Sequence, residues 1–294
     1  MSEHGPAPAA GGTPVPFGRR LHAAMDDHGP LCVGIDPHAS LLAAWGLGDD
    51  VAGLREFSLR VVDAVGGRVA ALKPQTAFYE RHGAAGMAVL EETIAAARAA
   101  GALTIVDAKR GDIGSTMGAY AQAFLHEGSP LAGDALTVSP FLGFGSLAPA
   151  ADLAAETGRG LFVLCLTSNP EGHEVQHATT ASGRSVAAEL AAQAARLNAG
   201  AEPMGSVGLV VGATVGDAVT RTGTDLEAVN GPLLAPGVGA QGAGAAELAA
   251  VFGRARHQVL ASSSRGVLAA GPDAGALRAA ALATSAEARE ALRG

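Results

Sequence analysis

Eight short apolar runs, spaced by stretches of helical period, constrain this chain more than any other feature. They occupy residues 31–35, 69–72, 103–106, 135–138, 161–166, 208–211, 233–235 and 258–261. Between them, Ala- and Leu-rich stretches at 51–65, 84–100, 116–126, 182–199 and 243–252 have helical spacing. Pro272 is placed to sit in the first turn of a last helix running towards Arg293. Strands that alternate with helices predict a parallel sheet. Eight of them predict a closed (β/α)8 barrel of the TIM type in one domain, with a doubly wound open sheet as the alternative. No Pro/Ser-rich linker interrupts residues 19–294. Residues 2–16 are rich in Pro, Ala and Gly and have neither a basic region nor an apolar stretch. They read as a disordered tail, not a signal peptide, which divides the chain into a tail at 1–16 and a barrel at 17–294.

Composition narrows the function classes. Hydrophobic residues make up 48% of the 294, enough for a sizeable core, and the net charge of −8 comes without a basic run. Nucleic acid is therefore not an expected partner. No stretch reaches the ~18 apolar residues of a membrane span, so a soluble cytoplasmic enzyme is expected. Cys32 and Cys165 each sit inside an apolar run and read as buried small hydrophobes, not as a disulfide or a metal pair.

Polar residues gather where the apolar runs stop. Asp36 follows the first run, Lys73 the second, Asp107 and Lys109 the third, and Ser139 the fourth. Thr167, Ser168 and Asn169 follow the fifth; Gly237, Gly239 and Gln241 follow the seventh; Arg265 follows the eighth. The carboxyl ends of the strands are where barrel enzymes keep their active sites. The densest segment is Asp107-Ala-Lys109-Arg-Gly-Asp112-Ile-Gly-Ser-Thr116. Alternate strand residues share a face, so Asp107 and Lys109 point the same way. Opposite charges at the end of a buried strand are costly to desolvate. A structural ion pair is the plain alternative, and the convergence of seven polar strand ends argues against it.

Two further motifs need separating from their usual meanings. Gly237-Val-Gly239-Ala-Gln241-Gly242 fits the dinucleotide pattern G-x-G-x-x-G, but it lies near the end of the chain with no acidic strand end after it. Its physical content is a Gly-rich loop that offers N–H groups to an anion, with Arg265 supplying a fork of donors for phosphate. His173-Glu-Val-Gln-His177 fits the zinc-protease pattern, yet it follows the turn-rich Asn169-Pro-Glu-Gly172 and reads as a solvated loop without metal.

With these residues in view, the chain resembles the orotidine 5′-phosphate decarboxylase family, in its longer bacterial form (type 2). The match Asp107-x-Lys109-x-x-Asp112-Ile-x-x-Thr116 carries the resemblance. Gly34-Ile-Asp36-Pro, Leu72-Lys73-Pro-Gln75, Val138-Ser139-Pro, Ala235-Pro-Gly-Val-Gly-Ala-Gln241 and Ser263-Ser-Arg265-Gly support it in the family's order. The resemblance implies a (β/α)8 barrel, a homodimer, and conversion of orotidine 5′-monophosphate to UMP and CO2 without metal or organic cofactor. It implies that Lys109 protonates C6 of the pyrimidine, that Asp107 faces the departing carboxylate, and that Lys73 links the charges to the ribose, where Asp36 also binds. It sends Asp112 and Thr116 into the neighbouring subunit's site, puts Ser139 against the pyrimidine, and gives the phosphate to Gln241, Arg265 and the loop of Gly237 and Gly239. It assigns nothing to His38, His126 or the segment 171–181.

The chemistry is coherent with that reading. Loss of CO2 from C6 leaves a carbanion that no ring carbonyl delocalises, and a fixed ammonium can stabilise it and then protonate it. Acidic neighbours keep such lysines charged. Rival readings are a Mg2+-dependent sugar-phosphate lyase or synthase of a related barrel, a Schiff-base aldolase and an inactive phosphate-binding barrel. The first would want a carboxylate where Lys73 stands. The second would want a lysine with lowered pKa. For Asp112, capping of the following helix is the alternative to a role across a dimer.

Overall fold

The computed structural model describes residues 14–238 and 243–293. Gly239, Gln241 and most of the expected tail, residues 1–13, lie outside the described residues. Eight parallel strands close into a barrel in sequence order. They are β1 (Leu31–Ile35), β2 (Ala71–Pro74), β3 (Leu103–Arg110), β4 (Ala135–Val138), β5 (Gly160–Leu166), β6 (Val207–Val211), β7 (Leu233–Pro236) and β8 (Val259–Ser263). The ring closes where β1 pairs with β8, Leu31 opposite Ala261. The expected barrel is therefore present, and the open-sheet alternative falls.

Alternation along each strand divides the core. Cys32, Ala71, Ile105, Ala135, Phe162, Val210, Leu234 and Leu260, one from each strand, form a single apolar cluster in the lumen. Phe17 and Leu21, from the helix Phe17–His28, join it at the amino-terminal end. Phe17 meets Phe162 edge-on at 6.0 Å between ring centres. The residues of opposite parity face the helical shell. Leu31, Val33, Ile35 and Leu72 pack with Leu42, Phe57, Val61 and Leu277 on one arc. Val106, Leu136, Val138, Val163 and Leu209 pack with Leu90, Phe124, Leu147 and Leu248 on the other.

Several boundaries differ from the sequence expectation. The second strand is Ala71–Pro74, two residues later than the apolar run, so Lys73 lies inside it. β3 extends through Asp107 and Lys109 to Arg110. The charged residues continue the strand because neighbouring side chains satisfy them. The last helix is Ala274–Arg293, so Pro272 precedes it; Asp273 accepts from the Ala276 N–H at 2.8 Å and caps it. The segment around His173 is not a loop but a 3-10 turn, Pro170–Gly172, followed by the one-turn helix His173–Gln176. Both cysteines are buried and free.

Candidate active site

Two residues beyond the apolar lumen layer, the inward side chains become polar. Lys73 follows Ala71, Asp107 follows Ile105 and Thr137 follows Ala135, each by one strand repeat of two. Asp107 stands at the centre. Its Oδ2 accepts from Lys73 Nζ at 2.8 Å, and its Oδ1 accepts from Lys109 Nζ at 2.6 Å and from Thr137 Oγ1 at 2.8 Å. The Gln75 amide nitrogen also donates to Oδ2, and the amide oxygen accepts from Lys109 Nζ at 3.3 Å.

The two lysines have different environments. The Lys73 side chain is 10% exposed and that of Asp107 is 9% exposed, whereas that of Lys109 is 44% exposed. Lys109 is thus the ammonium that a molecule entering the mouth can touch, and Lys73 is its buried counterpart. Burial would push the Asp107 carboxyl up, but the two ammoniums outweigh it and hold it at about 2. Burial would push Lys73 down, but the Asp107 and Asp36 carboxylates face it and keep it above the ordinary lysine range. Burial pushes the Cys32 thiol up to about 12, so it contributes no charge at neutral pH.

A break in the strand aims these groups. β3 and β4 pair Val106 with Leu136 and then Arg110 with Val138, with a register shift between. Four steps on β3 match two on β4, and the surplus forms a bulge holding Asp107, Ala108 and Lys109. Lys109 takes φ +49°, a left-handed backbone that costs a non-glycine residue about 1 kcal/mol or more. Bulges re-aim side chains beside active sites. Arg110 points outward instead, paired with Glu80 and lying over the rings of Tyr120 and Phe124. Gly111 then passes against the Ser139 carbonyl, where a Cβ would collide.

The other expected residues lie around this mouth. Asp36 follows β1; its Oδ2 accepts from Ser264 Oγ, and its buried Oδ1 has no partner among the described residues. A buried carboxylate oxygen left open is an acceptor available to a ligand hydroxyl. Ser139 is half-buried and tied to β3 through its N–H to the Arg110 carbonyl at 2.8 Å. Asp112 does not cap the helix Gly114–Leu125: its Oδ1 accepts from the adjacent Ile113 N–H at 2.7 Å, and the cap position belongs to Ile113, whose side chain caps nothing. Thr116 sits exposed on the first turn of that helix. Among the described residues, neither Asp112 nor Thr116 makes a hydrogen bond or ion pair to the Lys73–Asp107–Lys109 cluster of its own chain.

At the opposite side of the mouth, Gly237 turns the chain with φ +90°, a conformation that suits glycine. Arg265 is exposed at the start of the short helix Arg265–Leu268, directly after β8. His173 and His177 stack edge-on at 6.2 Å between ring centres. Among the described residues no third His, Cys, Asp or Glu joins them in a metal-binding group.

In the sequence, Gln75 and Ser264 stand only as neighbours within motifs, and no motif includes Thr137. The available signal was parity: Gln75 lies two residues past Lys73, and Thr137 two before Ser139.

The model of the "Orotidine 5'-phosphate decarboxylase / HUMPS family" matches residues 29–280. A Streptomyces coelicolor protein named orotidine 5′-phosphate decarboxylase is 64% identical over 277 residues, 94% of this chain and 98% of the relative. Its namesake from Salinispora arenicola is 62% identical over 278 residues, 95% of this chain and 99% of the relative. A crystal structure of a Streptomyces avermitilis protein, provisionally given the same name, superposes with a TM-score of 0.92 at 63% identity, covering 96% of this chain and 98% of that one.

Proposed function

The chain belongs to the orotidine 5′-phosphate decarboxylase / HUMPS family, and on that premise we infer that it is a carboxy-lyase converting orotidine 5′-monophosphate to UMP and CO2 in pyrimidine biosynthesis. The observation that carries this reading is the Lys73–Asp107–Lys109 cluster at the carboxyl end of the barrel. Asp107, ionised and fixed between two ammoniums, faces the substrate carboxylate and favours its departure. Lys109, half-exposed at the mouth, neutralises the charge that develops at C6 and donates the proton that replaces CO2. These groups are already oriented, so little reorganisation is needed as the charge develops. Lys73 and the open oxygen of Asp36 take the ribose hydroxyls, and Ser139 contacts the pyrimidine. Gly237 and Arg265, with Gly239 and Gln241, hold the phosphate, whose binding supports organisation of the charged site.

Both oxygens of Asp107 are engaged by ammonium groups, which disfavours a divalent cation there and with it the lyase or synthase alternative. The reaction on this reading needs no metal and no organic cofactor. The protein acts as a homodimer of the longer bacterial type in the cytoplasm. Ile113, Phe141 and Leu142, large apolar residues exposed after β3 and β4, support a subunit contact beside Asp112 and Thr116. Under this reading Asp112 and Thr116 complete the partner's site. Among the described residues no helix is long and apolar enough to cross a membrane.

The test is turnover of orotidine 5′-monophosphate, followed as UMP formed and CO2 released, beside a ketose phosphate control. Decarboxylation of the nucleotide alone is expected. Turnover of the ketose phosphate, or of neither substrate, overturns the reading.

A further inference from the structure

We propose that Thr137 is a positioning residue: its hydroxyl holds the backbone of Lys109 and the carboxylate of Asp107 in one arrangement. This rests on the decarboxylase reading for its kinetic consequence, but its geometry stands independently. Thr137 is 1% exposed in the lumen face of β4. Its Oγ1 accepts from the Lys109 N–H at 2.9 Å and donates to Asp107 Oδ1 at 2.8 Å.

The bulge explains why a hydroxyl is needed. Between the Val106–Leu136 and Arg110–Val138 pairs, Lys109 has no paired residue on β4. Its part-buried N–H turns instead to the Thr137 hydroxyl, beside a left-handed φ that already costs free energy. Just past β2, Thr76 holds the other side of the bulge, its N–H reaching the Asp107 carbonyl at 3.3 Å. Thr137 holds the β4 side and connects backbone to side chain.

The hydroxyl also imposes a direction. It has one proton and two lone pairs. Because the Lys109 N–H can only donate, the Thr137 proton is free to go to Asp107, whose ionised carboxylate can only accept. β-branching restricts the threonine to few rotamers, so the relay is stiff. Asp107 is otherwise faced by Lys73 from β2, which Cys32 of β1 and Asp36 just after it face in turn, and by Lys109 from its own strand.

Thr137→Val keeps the shape and removes the hydroxyl; Thr137→Ser keeps the hydroxyl. The expected result for Thr137→Val is a fall in kcat of about 10–100-fold with KM within about threefold, since placement errors cost rate more than binding. The acid limb of its pH–rate profile should move to higher pH, because the ionised Asp107 has lost a donor. Thr137→Ser should restore kcat to within about threefold of wild type. Independently of turnover, hydrogen exchange of the Lys109 amide should be protected in wild type and Thr137→Ser and fast in Thr137→Val.

A folded Thr137→Val protein with wild-type kcat, pH profile and amide protection overturns the proposal. If Thr137→Val does not fold, a folded Thr137→Ser protein that has lost more than tenfold in kcat overturns it, because methyl packing would then carry the effect. If wild type itself does not decarboxylate orotidylate, the functional reading fails, and the Lys109 exchange comparison still decides whether the hydroxyl holds the bulge.

Discussion

The lumen of this barrel has two layers, built by the same strands and two residues apart. The lower layer, with Ile105, Phe162, Leu234 and Leu260 against Phe17 and Leu21, is fully apolar and closed at the amino-terminal end by a helix. The upper layer, on the β2–β4 side, holds Lys73, Asp107 and Thr137, with Lys109 one strand repeat beyond. Close packing makes the lower layer a source of stability. The upper layer buries charges that packing alone would not favour, and they persist because each has a partner. One step of the strand period thus separates the apolar layer that holds the fold from the charged layer to which the chemistry is assigned.

The largest test of that division is Lys109→Ala. It should lose at least about a thousandfold in decarboxylation, while circular dichroism and UMP binding by calorimetry stay near wild type. Activity within tenfold of wild type would remove Lys109 from its assigned role.

On the proposed shared-site homodimer, a second large effect should extend the upper layer across subunits. Asp112→Ala and Lys109→Ala proteins should each be nearly inactive alone. After subunit exchange, mixed dimers carry one doubly defective site and one intact one. Random pairing makes half the dimers mixed, so up to about a quarter of wild-type activity should return. No recovery, with exchange confirmed by mass spectrometry, would keep Asp112 out of the partner's site.

The lower layer should respond in the opposite way. Phe162→Ala should cost about 3–5 kcal/mol in urea unfolding, with kcat of the folded protein within about twofold of wild type. A large kcat loss at unchanged stability would mean the layers are not separable.

Acid should weaken the upper layer selectively. The folded carboxyl of Asp107 lies at about 2, against ~3.9 in an unfolded chain. A lowered folded value contributes stability above the unfolded value, lost as pH falls through the folded one. The contribution, roughly 2–3 kcal/mol, should decline as pH drops from about 4 towards 2. Unfolding free energies measured across that range should fall more steeply for wild type than for Asp107→Asn; equal slopes would contradict the paired, ionised carboxylate. The smallest expected effect is that of EDTA, because ammoniums occupy the Asp107 oxygens. Turnover should be unchanged after dialysis, and a loss restored by Mg2+ or Zn2+ would reopen the metal-dependent alternative.

Much of this was legible along the chain. Residues 31–35 and 135–138 are strands with the bounds their apolar runs suggest, because a fully buried parallel strand is apolar on both faces. Residues 69–72 misled by two positions: Lys73 and Pro74 look like a strand's end, and the strand in fact runs through them. Lys73 is tolerated there because Asp107, 34 residues away, neutralises it. The one-turn helix His173–Gln176 looks like a loop in the sequence, because a single turn has too few residues to show a period.

Local pattern by itself determined the strand–helix alternation, the shared face of Asp107 and Lys109 and the family, since each depends on neighbours in sequence. Tertiary structure alone decided the rest. Ser264 reaches Asp36 across 228 positions, and Thr137 meets Asp107 and Lys109 only because β4 docks beside a bulge in β3. The left-handed backbone of Lys109 follows from that same mismatch of strand lengths. Register between strands is set by closing the whole barrel, a sum over all eight pairings that no local stretch of sequence contains.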